Sequence, residues 1–435
     1  MSDAVSTGAA PRPLRPPARA GSTPLRRRLD VLPPAMVRFT LYLFVISIPF
    51  EALPISEVLA GRFSLARAAG LLLFFAALLH PRTALRKPHA AVWWFGLWIA
   101  LVAARIPFQD PLIAPMSWEY VRQIVQMIAL LWIASNVLRS TPVWRRTLVL
   151  LACACAGLAL VQAAGGVAIR TGLGERVTTM GENPNTIGTL LAIALVVAIG
   201  LARTLVRGWL RIVLLAVCVP MAVELVRTGS RAAMLALVAG LLVMTVRSRG
   251  FGGKMKAALV AIPLLAGFLL VVSSSETARN RIQQTFEEGR FARREQIVPL
   301  VFEMIREKPI IGWGPEQHVR ELGTRMNAER MDEHNLFLWV LNEGGLLAFL
   351  PFMIAALLAV READRARHVG RGTVMLGLVA TLFLANMANS YHNRKFSWLI
   401  LALAISTPRI RRVAAPSGAA ARPLAAGTPG PAAAR

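Results

Sequence analysis

The sequence predicts an all-α, polytopic membrane protein with about twelve transmembrane helices and a small helical periplasmic segment. Three observations carry this reading. Of the 435 residues, 55% are apolar and only 17% charged, with a mean hydropathy of +0.54. A soluble domain has about 45–50% apolar and about 25% charged residues. The apolar residues fall in runs near the roughly 20 needed to cross a bilayer. Finally, the basic residues gather in short connections between alternate runs, as cytoplasmic loops require.

The runs, in order, are 36–55, 63–80, 89–106, 118–138, 145–169, 183–203, 208–227, 230–247, 254–273, 335–360, 371–389 and 395–408, the last being short. They divide the chain into a tail (1–35), helices one to nine (36–273), a periplasmic helical segment (274–334), helices ten to twelve (335–408) and a second tail (409–435). Both tails are rich in Pro and Ala and read as disordered. With the N-terminus in the cytoplasm, inner connections and tails hold most of the Lys and Arg and only Asp3, Asp30, Glu362 and Asp364 as acids. Both termini are then cytoplasmic. The net charge of +26 becomes an orientation signal and an attraction to anionic membrane lipids. It is not a nucleic-acid footprint.

Within the segment 274–334, Thr277–Glu288 and Arg293–Lys308 read as amphipathic helices, the second interrupted by Pro299. Pro309-Ile310-Ile311-Gly312-Trp313-Gly314-Pro315 makes a sharp turn, and 316–330 a further helix. Cys153, Cys155 and Cys218 lie in apolar runs, read as buried, and offer no disulfide or zinc framework. Gly252-Gly253-Lys254 lacks phosphate-loop spacing, so no nucleotide engine is evident.

The charges that oppose the insertion bias carry the chemical information. Arg227 and Arg231 flank a tight outer turn, Arg227-Thr228-Gly229-Ser230-Arg231. They read either as snorkelling or paired with an acid such as Glu224, or as an anion site. Ser230 is a candidate N-cap, and a helix N-terminus favours phosphate. Arginine adds a bidentate fork. Glu182-Asn183-Pro184-Asn185 and His334-Asn335 open two further helices on the same side. His334, one of three outer histidines with His318 and His392, reads either as a structural residue at the interface or as a general base, because imidazole exchanges a proton near neutrality. Arg290, Arg293 and Arg294 cluster beside Glu287, Glu288 and Glu295. They form a salt-bridged face, or supply one arginine to close over a phosphate. Glu343 lies inside a span, with Arg67, Arg122 and Glu224 as possible partners. Asp332-Glu333-His334 leaves metal ligation open as an alternative, but adjacent residues rarely chelate one ion, so no metal site is assigned.

These residues resemble the O-antigen ligase and polymerase superfamily of bacterial inner-membrane glycosyltransferases. The likeness covers roughly residues 180–350. It rests on Asn183-Pro184-Asn185, Thr228-Gly229-Ser230-Arg231, Arg294, Lys308-Pro309-Ile310-Ile311-Gly312-Trp313-Gly314, and the spacing from His334-Asn335 to Gly345. The resemblance implies a donor glycan on undecaprenyl diphosphate and an acceptor hydroxyl on lipid A–core. Arg231 and Arg294 would hold the diphosphate, with Arg290 or Arg293 as alternatives to Arg294. His334 would act as base, and neither cofactor nor metal is required. An O-antigen polymerase or protein O-oligosaccharyltransferase of the same superfamily shares these motifs. A lipid-linked glycan transporter is the alternative from another class.

Overall fold

The computed structural model describes residues 32–51, 64–171, 174–204, 208–248, separate positions within 250–273, 293–366 and 373–406. The described residues belong to one unit, Leu32–Arg412. The expectations for both tails fall almost wholly outside them, as does the expected helix Thr277–Glu288; the expected span 254–273 is described only at separate positions.

The described chain is mostly helical. In order come α1 (Ala35–Ser47), α2 (Leu65–Leu79), α3 (Ala90–Ala103), α4 (Ala114–Val137) and α5 (Thr141–Gly165). A hairpin of β1 (Val167–Thr171) and β2 (Gly174–Thr178) follows. Then come α6 (Pro184–Thr204), α7 (Trp209–Ala216), α8 (Cys218–Arg227), α9 (Arg231–Val246), α10 (Arg294–Glu307), α11 (Gln317–Arg325), α12 (Leu336–Ala366), α13 (Val374–Asn386) and α14 (Lys395–Ser406). Every predicted span other than 254–273 thus contains a described helix. Among the described residues, five helices are long and apolar enough to cross a membrane, and five more are apolar but shorter. The helix α4 carries Glu119, Arg122, Gln123 and Gln126 and falls in neither group.

Two expectations need correction. The all-α reading missed the hairpin, an antiparallel pair running from Val167 opposite Thr178 to Thr171 opposite Gly174. Its alternating β-branched residues, Val167, Ile169 and Thr171, suit a strand. Among the cysteines, Cys155 and Cys218 are buried but Cys153 is exposed. Residues two apart on a helix of 3.6 per turn point to nearly opposite faces, so Cys153 and Cys155 cannot share an environment.

At the centre stands α6, 94% buried over its apolar stretch. It is apolar around its circumference, which suits a helix surrounded by others. On one side α3 packs along α12, where Phe95 and Trp98 meet Phe352 edge to face at 5.7 and 5.2 Å. On another, α9 and α13 approach closely.

The helix α12 is broken at Gly345, where φ is 59° and ψ −166°. The turn 309–314 plugs the break. Trp313 and Gly314 donate their amides to the carbonyls of Asn342 (2.9 Å) and Glu343 (2.7 Å). Leu346 and Leu347 donate theirs to Pro309 (2.9 Å) and Ile310 (3.0 Å). The expected sharp turn is therefore present, and its partner is the interrupted helix. Backbone groups freed by a break in a buried helix need such partners.

Candidate active site

Three helix starts meet at one end of the bundle. The carboxamide oxygen of Asn183 accepts the Asn185 amide at 2.8 Å as α6 begins. Ser230 Oγ accepts the Ala233 amide at 3.4 Å and caps α9, as its sequence position predicts. Asn335 Oδ1 accepts the amides of Phe337 (2.9 Å) and Leu338 (3.2 Å) and caps α12. Gly188 lets the Thr228–Ser230 turn lie against α6: a Cβ there would meet Thr228 Oγ1 at 2.9 Å and Ser230 Cβ at 3.0 Å.

A polar connection, residues 387–394, ties these starts together. Asn389 offers its carbonyl to the Leu336 amide at 3.2 Å. Ser390 Oγ donates to Asp332 Oδ1 at 2.8 Å. Tyr391 Oη pairs with Thr189 Oγ1 of α6 at 3.2 Å. Arg394 forks onto Glu182, with both contacts at 3.1 Å. Ala388 accepts from Arg294 Nη2 at 2.5 Å.

Arg231 and Arg294, each the first residue of its helix, are half-buried. The two guanidinium groups act on each other electrostatically. Burial and then the Arg231 charge pull the Arg294 guanidinium below the usual arginine range. Arg294 Nε is closed from solvent and makes no hydrogen bond among the described residues. The nearby acids are Glu295, which acts on Arg231, and Asp332, which acts on Arg294. Arg293 is exposed in a left-handed conformation. Arg290 lies outside the described residues. For Arg227 the structural reading holds: it pairs with buried Glu224 at 2.7 Å.

His334 has φ of 51°. Asp332 Oδ1 accepts its amide at 2.6 Å and lies 3.9 Å from its Nδ1. The imidazole is 43% exposed, open to a substrate. Glu333 turns the other way. Its Oε1 meets His318 Nδ1 at 2.6 Å and Asn342 Nδ2 at 2.9 Å, with the His318 and Glu333 side chains fully buried. Burial alone would lower the His318 value, but the Glu333 charge and hydrogen bond overcome it and raise it. Asp332-Glu333-His334 therefore do not converge on one point: Asp332 and His334 lie together at the turn, while Glu333 is held in the interior by His318 and Asn342. Glu343 makes no hydrogen bond to any of its expected partners, and its polar neighbour is Tyr120 of α4. Glu119 takes Arg122 and Arg227 takes Glu224 instead.

Residues 216–353 match a family model described as O-antigen ligase. This stretch belongs to the O-antigen ligase and polymerase superfamily. Members of the superfamily are glycosyltransferase-like membrane enzymes. No curated protein matches the chain. The matched stretch holds Arg231, Arg294, the plugged break and His334. The α6 start and the connection 387–394 lie outside it. Sequence reasoning overlooked Asn389, Ser390, Tyr391 and Arg394. Their signal is the polar run Asn386–Arg394 between two apolar helices, a place where loops are expected to carry function.

Proposed function

We propose that this protein is an inverting, metal-independent glycosyltransferase. It moves O-antigen glycan from undecaprenyl diphosphate to a sugar hydroxyl of lipid A–core. It crosses the bacterial inner membrane about twelve times, with both termini cytoplasmic and the active site periplasmic. The observation that carries the reading is the meeting of two half-buried arginines from distant parts of the chain beside the Asp332–His334 turn. Guanidinium groups at two helix starts in a partly dry site offer forked donors that suit phosphate oxygens.

In this scheme Arg231 and Arg294 grip the diphosphate, with Arg290 as a further candidate contact. His334 takes the proton of the acceptor hydroxyl as its oxygen bonds to the anomeric carbon. The bond from that carbon to the phosphate oxygen breaks, and its electron pair leaves on the diphosphate. The fixed guanidinium groups stabilise the charge that grows there. The Asp332 carboxylate beside Nδ1 stabilises the imidazolium formed. One displacement predicts inversion. The donor carries its own leaving group, so no nucleotide is consumed.

The test is glycan transfer by the purified protein from undecaprenyl diphosphate to purified lipid A–core in EDTA. Product with inverted linkage supports the reading. Elongation of the donor glycan without transfer to core would instead make it a polymerase, and transfer to protein a protein O-oligosaccharyltransferase. Movement of lipid-linked glycan without covalent product would indicate a transporter.

A further inference from the structure

Beside the Asp332–His334 turn lies a polar cavity of about 490 Å³ between α4, the start of α12 and the connection 387–394. Its volume falls in the range of about 300–1,000 Å³ usual for ligand sites. Three rings form part of its wall: Tyr120, Trp339 and His392. The His392 ring lies 4.5 Å from Trp339 and 5.4 Å from Tyr120 between centroids. His318 closes the far side of Trp339 edge-on at 4.5 Å. His392 Nδ1 is closed from solvent and makes no hydrogen bond among the described residues, while Tyr120 has Trp339 and Glu343 as hydrogen-bonding neighbours. Buried polar atoms of this kind normally have partners.

The charge in the wall excludes a phosphate. Glu119, Glu316 and Asp332 line the cavity against one arginine, Arg330, and Glu316 engages that arginine. Gln123, Ser390 and Asn393 add uncharged donors and acceptors. Aromatic faces suit the C–H face of a sugar ring, and carboxylates with amides suit its hydroxyls. We propose that this cavity is a subsite for an uncharged saccharide, separate from the arginine pair and joined to His334 through Asp332. Asp332 Oδ1 receives both the His334 amide and the Ser390 hydroxyl, so it links the cavity to the base. The inference rests on the proposed glycosyl transfer for its meaning, but binding can be read without turnover.

Two saccharides could fill the cavity, one from the acceptor core and one from the donor chain. The experiment uses the full-length protein in detergent micelles and saturation-transfer NMR. The probes are dephosphorylated core oligosaccharide and the polysaccharide released from the lipid-linked donor. Trp339→Leu removes part of the wall. Met116→Trp narrows the cavity from Met116, which is 44% exposed and lines it. Wild type should transfer saturation to the ring protons of one probe, and the probe that responds identifies the source. Both variants should lose the signal, and Met116→Trp should keep the wild-type unfolding temperature. In the transfer assay, Met116→Trp should raise KM for that substrate about tenfold and leave kcat nearly unchanged, the signature of lost ground-state binding. No signal from either probe, or an equal signal in wild type and Met116→Trp, overturns the subsite. Saccharide contact without any product refutes the proposed reaction and leaves the subsite standing. Product without saccharide contact does the reverse.

Discussion

Replacing Gly345 by alanine tests the plugged helix break most directly. At φ 59° and ψ −166° the backbone is in a region that only glycine occupies readily. A Cβ there would lie 2.3 Å from the carbonyl carbon and oxygen of Ile310 and 2.5 Å from the Ile311 nitrogen. All three are backbone atoms, so no side chain can swing aside, and the turn 309–314 must move. That movement threatens the four backbone hydrogen bonds across the break, which span 2.7–3.0 Å. The backbone strain costs about 1–3 kcal/mol, and each buried amide left without a partner costs about 1–3 kcal/mol more. With two amides orphaned the loss is about 3–9 kcal/mol, comparable to the whole stability of many domains. Unfolding followed by intrinsic tryptophan fluorescence in detergent should show a midpoint lower by on the order of 10 °C. Gly96→Ala in α3 is the control: nothing lies within 4 Å of its Cβ, and a helical site favours alanine. If Gly345→Ala unfolds within 2 °C (roughly the scatter of such scans) of Gly96→Ala, the plug does not hold the break together.

The remaining predictions concern the site and its pH response. Arg231→Ala and Arg294→Ala should each lower glycan transfer by about 10²–10³, as loss of a charge-stabilising donor does, and Arg231→Lys should recover only part. Arg293→Ala should transfer at close to the wild-type rate, since that side chain is exposed; equal damage from Arg293→Ala would reverse the assignment. His334→Ala should lower kcat by about 10²–10⁴ while donor affinity, measured by calorimetry, and the unfolding temperature stay put. Burial holds His392 neutral and depresses its value to about 4. The unfolded chain therefore binds the extra proton first as pH falls. Stability from this group is full above about pH 6.5 and declines towards about pH 4. His392→Phe should flatten the slope of unfolding temperature against pH in that window; an unchanged slope would show that His392 contributes nothing to it.

Much of this molecule is legible in the chain alone, for a local reason. Apolar runs, the Ser230 cap and the turn at 309–314 depend on residues a few positions apart, whereas Pro299, expected to interrupt its helix, lies inside the continuous α10. Ser230 caps α9 because its hydroxyl reaches an amide three residues on. The family motifs, read as spacings, led to a stretch that overlaps the residues 216–353 matched by the family model, with Asn183-Pro184-Asn185 outside that match.

Other features depended on distant parts of the chain meeting. Nothing near Arg294 in sequence distinguishes it from Arg293. Packing of α10 decides the matter, turning Arg294 to the Ala388 carbonyl 94 residues away and leaving Arg293 outside. Contiguous Asp332, Glu333 and His334 look like one cluster, yet the buried His318 and Asn342 claim Glu333 for the interior. Arg394 finds Glu182 across 212 positions. Helix and turn formation follow from neighbours within one turn, whereas a charge's partner is whichever group the assembled helices bring within hydrogen-bonding reach.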